Sequence, residues 1–294
     1  MKDSVKRAFP ALFVFLWSTG FIVAKYIHPY SPPFAFLAIR YVLACAFLVG
    51  FAIFTKTSLR MTRNQVLYSV AVGALLHVTY IGGVFYGVSL GVSAGISATI
   101  VSLQPVLVSI IAVPMLGERL RAVQIIGLLM GVAGVALLLL PNVFKGDTSA
   151  LFEVRGIAAC VIALVGTTGG YLVQKRSGNI PFVPGTAIQF GFSALAFTVL
   201  SVSTERPVVI DWSYQFFMAL AWIVFALSLG SIFILYYLLR HGSAGSVSSL
   251  YYLVPPSSAL MGYFLFGEHI GATGLIGMAL AACGVALVMR QASN

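Results

Sequence analysis

The sequence predicts an all-α integral membrane protein of ten transmembrane helices, built as two inverted-topology five-helix repeats. Three observations predict it. The 294 residues are 60% hydrophobic and 8% charged, with a mean hydropathy of +1.02, whereas a soluble domain carries roughly 25% charged residues to cover its surface. Apolar runs near the length of a bilayer-spanning helix, about 20 residues, occur ten times. The chain also matches itself without a gap at an offset of 150 residues. The 17 Lys and Arg and 7 Asp and Glu cannot clothe a water-soluble particle of this size. That excludes a soluble enzyme, a nucleic-acid-binding module and a disordered chain.

The runs lie at about 8–26, 32–54, 66–88, 93–115, 122–140, 154–174, 182–203, 214–239, 244–266 and 270–289. The first follows Lys2, Lys6 and Arg7, as a signal peptide would. No small-residue cleavage site comes after it, so it is expected to persist as a helix. It carries Trp17 away from either interface, beside Ser18, Thr19 and Gly20. The second carries Arg40, which could hold a substrate carboxylate, snorkel to the interface or pair with helix-end carbonyls. The third presents Gly73, His77, Tyr80, Val84 and Gly87 on one face. His77 there could bind substrate, titrate, or make an interhelical hydrogen bond.

In the fourth run Ser97, Val101, Gln104 and Val108 share a face, and Pro105 interrupts the helix. The fifth has Gly127 and Gly131 at the spacing of close helix approach, matched by Gly277 and Ala281 in the tenth. That spacing serves packing within the chain or a homodimer, and a monomer is the favoured state. The sixth contains Tyr171 and Gln174, the seventh no residue that stands out, and the eighth Trp222. In the ninth, Ser248, Tyr252, Pro255 and Ala259 share a face, with Pro255 as its interruption. Each proline removes a helical hydrogen bond, so each marks either a hinge beside a substrate or a packing kink.

The repeat decides how these runs are arranged. Ser93-Ala94-Gly95 falls on Ser243-Ala244-Gly245, Pro105 on Pro255, Gly117-Glu118 on Gly267-Glu268, and Gly134-Val135-Ala136-Leu137 on Gly284-Val285-Ala286-Leu287. Gly20, Val23 and Lys25 fall on Gly170, Val173 and Lys175. The units are 1–144 and 145–294. Five is odd, so the second unit enters the membrane from the opposite side, which is characteristic of transporters. Twelve of the Lys and Arg residues fall on one side of this layout and four on the other, which places both termini in the cytoplasm. The basic excess is therefore a topology signal, and no nucleic-acid partner is expected.

The run Ser93-Ala94-Gly95, Pro105, Gly117-Glu118-Arg119-Leu120 and the Gly-rich fifth helix, with its second copy, resembles the EamA repeat of the drug/metabolite transporter superfamily. The aromatic-rich first and third helices are similar to those of YddG-type amino-acid exporters. The resemblance implies an inner-membrane exporter with helices three, four, eight and nine around a central cavity.

The seven acids all lie in termini, loops or helix ends, which disfavours cation-for-proton exchange. Sugar phosphates would need several basic residues facing the cavity, and Arg40 alone is available. The inventory fits a neutral or zwitterionic substrate, an amino acid with an aromatic or other apolar side chain, bound by Trp17, His77, Tyr80, Gln104, Tyr171 and Tyr252, with Pro105 and Pro255 as hinges. Other neutral metabolites or drugs are the alternative. Cys45, Cys160 and Cys283 are far apart in apolar runs, so neither metal nor cofactor is expected. Glu118 and Glu268 end the fourth and ninth helices, either as state-dependent gate contacts or as solvated ends paired with Arg119 or His269. Gly91-Val92-Ser93-Ala94-Gly95 matches the nucleophile-elbow pattern of a hydrolase, but His77 stands some four turns away along the third helix.

Overall fold

Inside lipid no water satisfies an open peptide group, so each crossing segment must close its own backbone hydrogen bonds, which a helix does. The computed structural model describes residues 3–116, 122–143, 148–177, 180–231, 234, 237–238, 250–268 and 271–292, and every regular element among them is a helix. These are α1 (Asp3–Tyr26), α2 (Pro33–Phe54), α3 (Arg63–Val72), α4 (Gly82–Ser89), α5 (Ala94–Val101), α6 (Gln104–Leu116), α7 (Ala122–Val143), α8 (Thr148–Arg176), α9 (Phe182–Thr204), α10 (Tyr214–Ala221), α11 (Val254–Phe266) and α12 (Ala272–Ala292). Five stretches are long and apolar enough to cross a membrane: Phe9–Tyr26, Pro33–Phe54, Arg63–Ser89, Val154–Arg176 and Phe182–Thr204. Shorter apolar helices lie at Ala94–Val108, Ile125–Gly134, Tyr214–Ser228 and Ala272–Leu287.

The helix starts follow local chemistry. Thr62 and Gln65 form a reciprocal capping box at α3: the Gln65 N–H donates to Thr62 Oγ1 and the Thr62 N–H to Gln65 Oε1. The Glu205 carboxylate, just past α9, accepts from the Phe34 and Ala35 N–H groups at 2.8 and 2.9 Å. It thereby neutralises the positive end of α2. Ser93 caps α5, its Oγ accepting from the Ile96 N–H at 3.2 Å. The serine of the nucleophile-elbow pattern is thus committed to a helix cap.

Two pairs of irregularities depart from uniform helices. α3 continues into α4 through a π-helical segment, Gly73–Ile81, and α10 continues into a second, Trp222–Ser231. Thr79 Oγ1 donates to the Ala74 carbonyl and Ser228 Oγ to the Ile223 carbonyl, so hydroxyls tie the widened turns in both segments. The fourth predicted run is broken between α5 and α6 at Ser102–Leu103, where the Leu103 N–H reaches the Ile100 carbonyl three residues back. Before α11 the chain tightens into a 3₁₀ turn, Tyr251–Leu253. The cause is common to both: Pro105 and Pro255 carry no N–H for the carbonyl four residues earlier. At an offset of 150 residues the π segments coincide to within one residue, and Ser102–Leu103 falls inside the 3₁₀ turn.

Small residues set the packing. α7 and α12 form the most extensive helix pair. A Cβ on Gly134 would fall on the Gly277 carbonyl and the Ala281 backbone, while one on Gly284 would fall on the Gly127 carbonyl and the Gly131 backbone. The pair is therefore antiparallel and reciprocal: each glycine meets the counterpart of the residue that its own counterpart meets. The Gly127, Gly131, Gly277 and Ala281 spacing is used inside the chain. A second seam joins α4 to α8, with Gly87 against the Gly156 carbonyl and the Cys160 thiol. α2 packs on α9, and α11 lies against α1 and α5.

Candidate functional site

The two π segments and the 3₁₀ turn before α11 contribute to a group of polar and aromatic side chains. On the Gly73–Ile81 segment the His77 ring lies between α2 and α9, with the Tyr41 hydroxyl 3.1 Å from Nδ1 and Gln189 Oε1 3.3 Å from Nε2. A carboxamide oxygen only accepts, so Nε2 carries the proton and Nδ1 accepts from the Tyr41 O–H. Both ring nitrogens are occupied, which is the interhelical hydrogen-bond arrangement. Tyr41 is 1% exposed and stacks on Phe197 at 5.6 Å, while His77 meets Phe190 edge-on at 5.1 Å. Tyr41→Phe or Gln189→Leu is expected to cost about 1–2 kcal/mol each, one buried hydrogen bond. Thermal unfolding of the detergent-solubilised variants checks this.

Next to Tyr41, Arg40 is 8% exposed; its Nη2 donates to Ser228 Oγ on the second π segment at 3.3 Å. Its guanidinium carbon stands 5.0 Å from the Tyr41 ring centre. Its bond is to a mid-helix hydroxyl and not to a helix-end carbonyl. Tyr80 and Tyr251 are both packed against the core cluster that contains Tyr41.

Tyr251 opens onto a ring cluster from α1. Trp17 and Phe13 each meet it nearly edge-on at 5.2 Å and lie 5.3 Å from each other. Edge-on pairs of this kind add about 0.5–1.5 kcal/mol beyond burial. Ser18 Oγ donates to the Val254 carbonyl at 3.4 Å and Ser258 Oγ to the Ser18 carbonyl at 3.5 Å, tying α1 to α11 beside the 3₁₀ turn.

The predicted residues separate into groups. Trp17, His77 and Tyr80 sit on the elements around this cluster, and Pro255 is buried at its edge. Gln104 turns toward α8, its Nε2 donating to the Thr167 carbonyl at 3.4 Å, with Pro105 half-buried beside it. Tyr171 is 46% exposed, and no ring contact or hydrogen bond among the described residues joins it to the group. Trp222 is 38% exposed and donates from Nε1 to Thr19 Oγ1 at 3.0 Å. The Tyr252, Ser248, Glu118, Arg119 and His269 side chains and the Ser243-Ala244-Gly245 run fall outside what the structure describes, and Gln174 is exposed. Tyr41, Gln189, Ser228 and Tyr251 were not singled out by spacing. Tyr251 was legible as the partner of Val254 and Ser258 on one buried face, once the turn before Pro255 is tightened.

At one end of the bundle three elements meet on Glu268. Gly267, with φ of 63°, turns the chain back after α11. Glu268 Oε2 accepts from the Ala94 N–H at 3.3 Å, at the start of α5, and Oε1 stands 3.2 Å from Lys25 Nζ near the end of α1. A Cβ on Gly262 would collide with the Glu268 carboxylate, so that glycine makes the space. The acid at the end of α11 is thus neither solvated nor solitary.

The family model for the EamA-like transporter family matches the chain twice, at residues 9–140 and 154–290. The chain is 28% identical over 283 residues to the uncharacterized transporter YvbV of Bacillus subtilis (strain 168), covering 95% of this chain and 89% of that protein. It is 29% identical over 288 residues to a WAT1-related chloroplastic protein of Arabidopsis thaliana, covering 95% and 68%. A solved crystal structure superimposes with a TM-score of 0.62 at 21% identity, covering 97% of this chain and 98% of that one, a likeness of fold. With both matched segments together spanning most of its length, the chain belongs to the EamA-like transporter family, a membrane transporter family of the drug/metabolite superfamily.

Proposed function

We propose that this protein exports neutral or zwitterionic metabolites, amino acids with aromatic or other apolar side chains, across the inner membrane by alternating access. In this reading ten spans form two inverted units, 1–144 and 145–294, with both termini cytoplasmic. The observation that carries it is the pairing of helix irregularities at the 150-residue offset, three of which contribute to one aromatic cluster with no acid in it among the described residues. Matched interruptions in the two halves of a transporter mark the site where substrate contacts form. The reciprocal, antiparallel contact of α7 with α12 is what an in-plane pseudo-two-fold axis requires. The rings of Trp17, Tyr80 and Tyr251 suit an apolar side chain, and the polar bonds are few.

Exchange of access follows from the same symmetry. Glu268 ties α11, α5 and α1 together on the side where α1 ends, the periplasmic side in this topology. The three partners have register counterparts in Glu118, Ala244 and Lys175. One latch closing while the other opens moves a central site from one side to the other.

The test is uptake of labelled aromatic and aliphatic amino acids into liposomes holding the purified protein, with and without a pH gradient. Saturable, competable flux is expected, and Trp17→Ala is expected to lower it about tenfold with membrane insertion intact, since one desolvated aromatic anchor contributes about 1–3 kcal/mol. Flux without a gradient is facilitated transport, with His77 acting in structure or binding; flux that needs the gradient makes His77 the coupling residue to substitute first. No flux of any amino acid overturns the substrate assignment. Unchanged flux in Trp17→Ala, His77→Ala and Gln104→Ala together overturns the site.

A further inference from the structure

We propose that Arg40 is the anchor for a carboxylate on the transported molecule, an inference that rests on the transporter reading and deepens it. Arg40 is more than nine-tenths buried, and of its five N–H donors the structure assigns one, to Ser228 Oγ. Its Nε is buried without a hydrogen-bond partner. No ion pair to Arg40 exists among the described residues. Glu205 is held at the start of α2 and Glu268 by Lys25 and Ala94, so the acids with assigned partners are spent elsewhere.

An isolated cation withdrawn from water costs several kcal/mol, and a hydroxyl and one tyrosine face offset only part of that. A fixed carboxylate would have completed the site permanently. Its absence leaves a forked donor set for an anion that comes and goes, and the planar guanidinium matches a carboxylate through two parallel hydrogen bonds. Phosphate is the poorer fit, because a dianion calls for more than one basic group and Arg40 is the one buried Lys or Arg among the described residues.

The surroundings orient the rest of such a molecule. Tyr41, beside Arg40, belongs to one core against which Tyr80, Tyr251 and Trp17 are packed, and Trp17 and Phe13 meet Tyr251 edge-on. A ligand with its carboxylate on Arg40 therefore points its apolar end into the ring cluster. An α-ammonium group would meet aromatic faces, which attract cations without needing an acid.

The experiment measures thermal stabilisation of the purified full chain by 3-phenylpropionate and by its uncharged carboxamide, in wild type, Arg40→Lys and Arg40→Gln, beside amino-acid uptake into liposomes. In wild type the carboxylate is expected to bind roughly 10- to 100-fold more tightly than the amide, the range for hydrogen bonds to a charged partner. Arg40→Gln is expected to erase the preference, and Arg40→Lys to keep part of it. Equal response to acid and amide in wild type, no response to the acid, or a preference that survives in Arg40→Gln overturns the assignment. If Arg40→Gln does not fold, the wild-type ratio and Arg40→Lys still decide, with an undiminished preference in Arg40→Lys counting against the forked anchor. Arg40-dependent carboxylate binding without amino-acid flux leaves the anchor standing and overturns the amino-acid reading. Flux without carboxylate preference does the reverse.

Discussion

Replacing Glu268 by Ala is expected to raise labelling of a cysteine at Ala98 by a membrane-impermeant maleimide roughly tenfold or more, and to cut uptake by a similar factor. Ala98 is 2% exposed on α5, one turn beyond the Ala94 N–H that Glu268 holds, and belongs to the core shared with α1 and α11. The latch combines a charge-assisted hydrogen bond at a helix N-terminus with an ion pair, and hydrogen bonds to charged groups contribute about 1.5–3 kcal/mol. The Lys25 side chain is 32% exposed and that of Glu268 is 9% exposed, so water screens the lysine side and the Ala94 bond carries more of the effect. Lys25→Ala is accordingly the milder variant, and Glu268→Gln, which keeps an acceptor for Ala94, lies between. A shift of about tenfold toward the open state is what loss of about 1.4 kcal/mol of differential stabilisation produces. Unchanged labelling in Glu268→Ala would show that the contact is structural and does not hold access closed. Glu118→Ala, at the register-equivalent acid, is expected to move labelling in the opposite direction. Its own surroundings lie outside the described residues, so that variant tests the symmetry by function alone.

The all-helical, apolar character of the chain was legible because its runs are rich in apolar residues and poor in charge, and among the described residues five stretches are long and apolar enough to cross a membrane. The seam of Gly127, Gly131, Gly277 and Ala281 was legible for a related reason: residues four apart on a helix share a face whatever lies opposite. The π segments were not legible. Gly73–Ile81 has the composition of an ordinary apolar helix, and the extra residue per turn is imposed by packing and by hydroxyls such as Thr79 and Ser228. His77 was found because a histidine in a span is conspicuous, but its partners Tyr41 and Gln189 come from helices distant in sequence, and no local spacing announces them. Periodicity at 3.6 residues per turn selected Tyr252, whose side chain lies outside what the structure describes; the 3₁₀ turn before Pro255 places Tyr251 against the α1 ring cluster, which no regular spacing announces.

Gly134→Val and Gly284→Val are expected to be equally destructive, each costing more than about 3 kcal/mol and leaving little folded protein after extraction. At both positions the added atoms would land on a carbonyl and a backbone nitrogen of the facing helix, and backbone cannot swing aside as a side-chain tip can. The helices would have to separate, which abandons the small-residue contact that holds them in lipid. Gly50→Val controls for a generic loss of helix glycine, because nothing lies within 4 Å of a Cβ there. Fluorescence-detected size exclusion after heating measures all three. The comparison discriminates between two accounts of the chain. If the halves are equivalent and inverted, Gly134 faces the counterpart of the residue that Gly284 faces, so both substitutions must be severe. Tolerance of one and failure of the other would mean that α7 and α12 meet through an asymmetric contact. The alternation proposed for the Glu268 and Glu118 latches would then lose the symmetry that relates them.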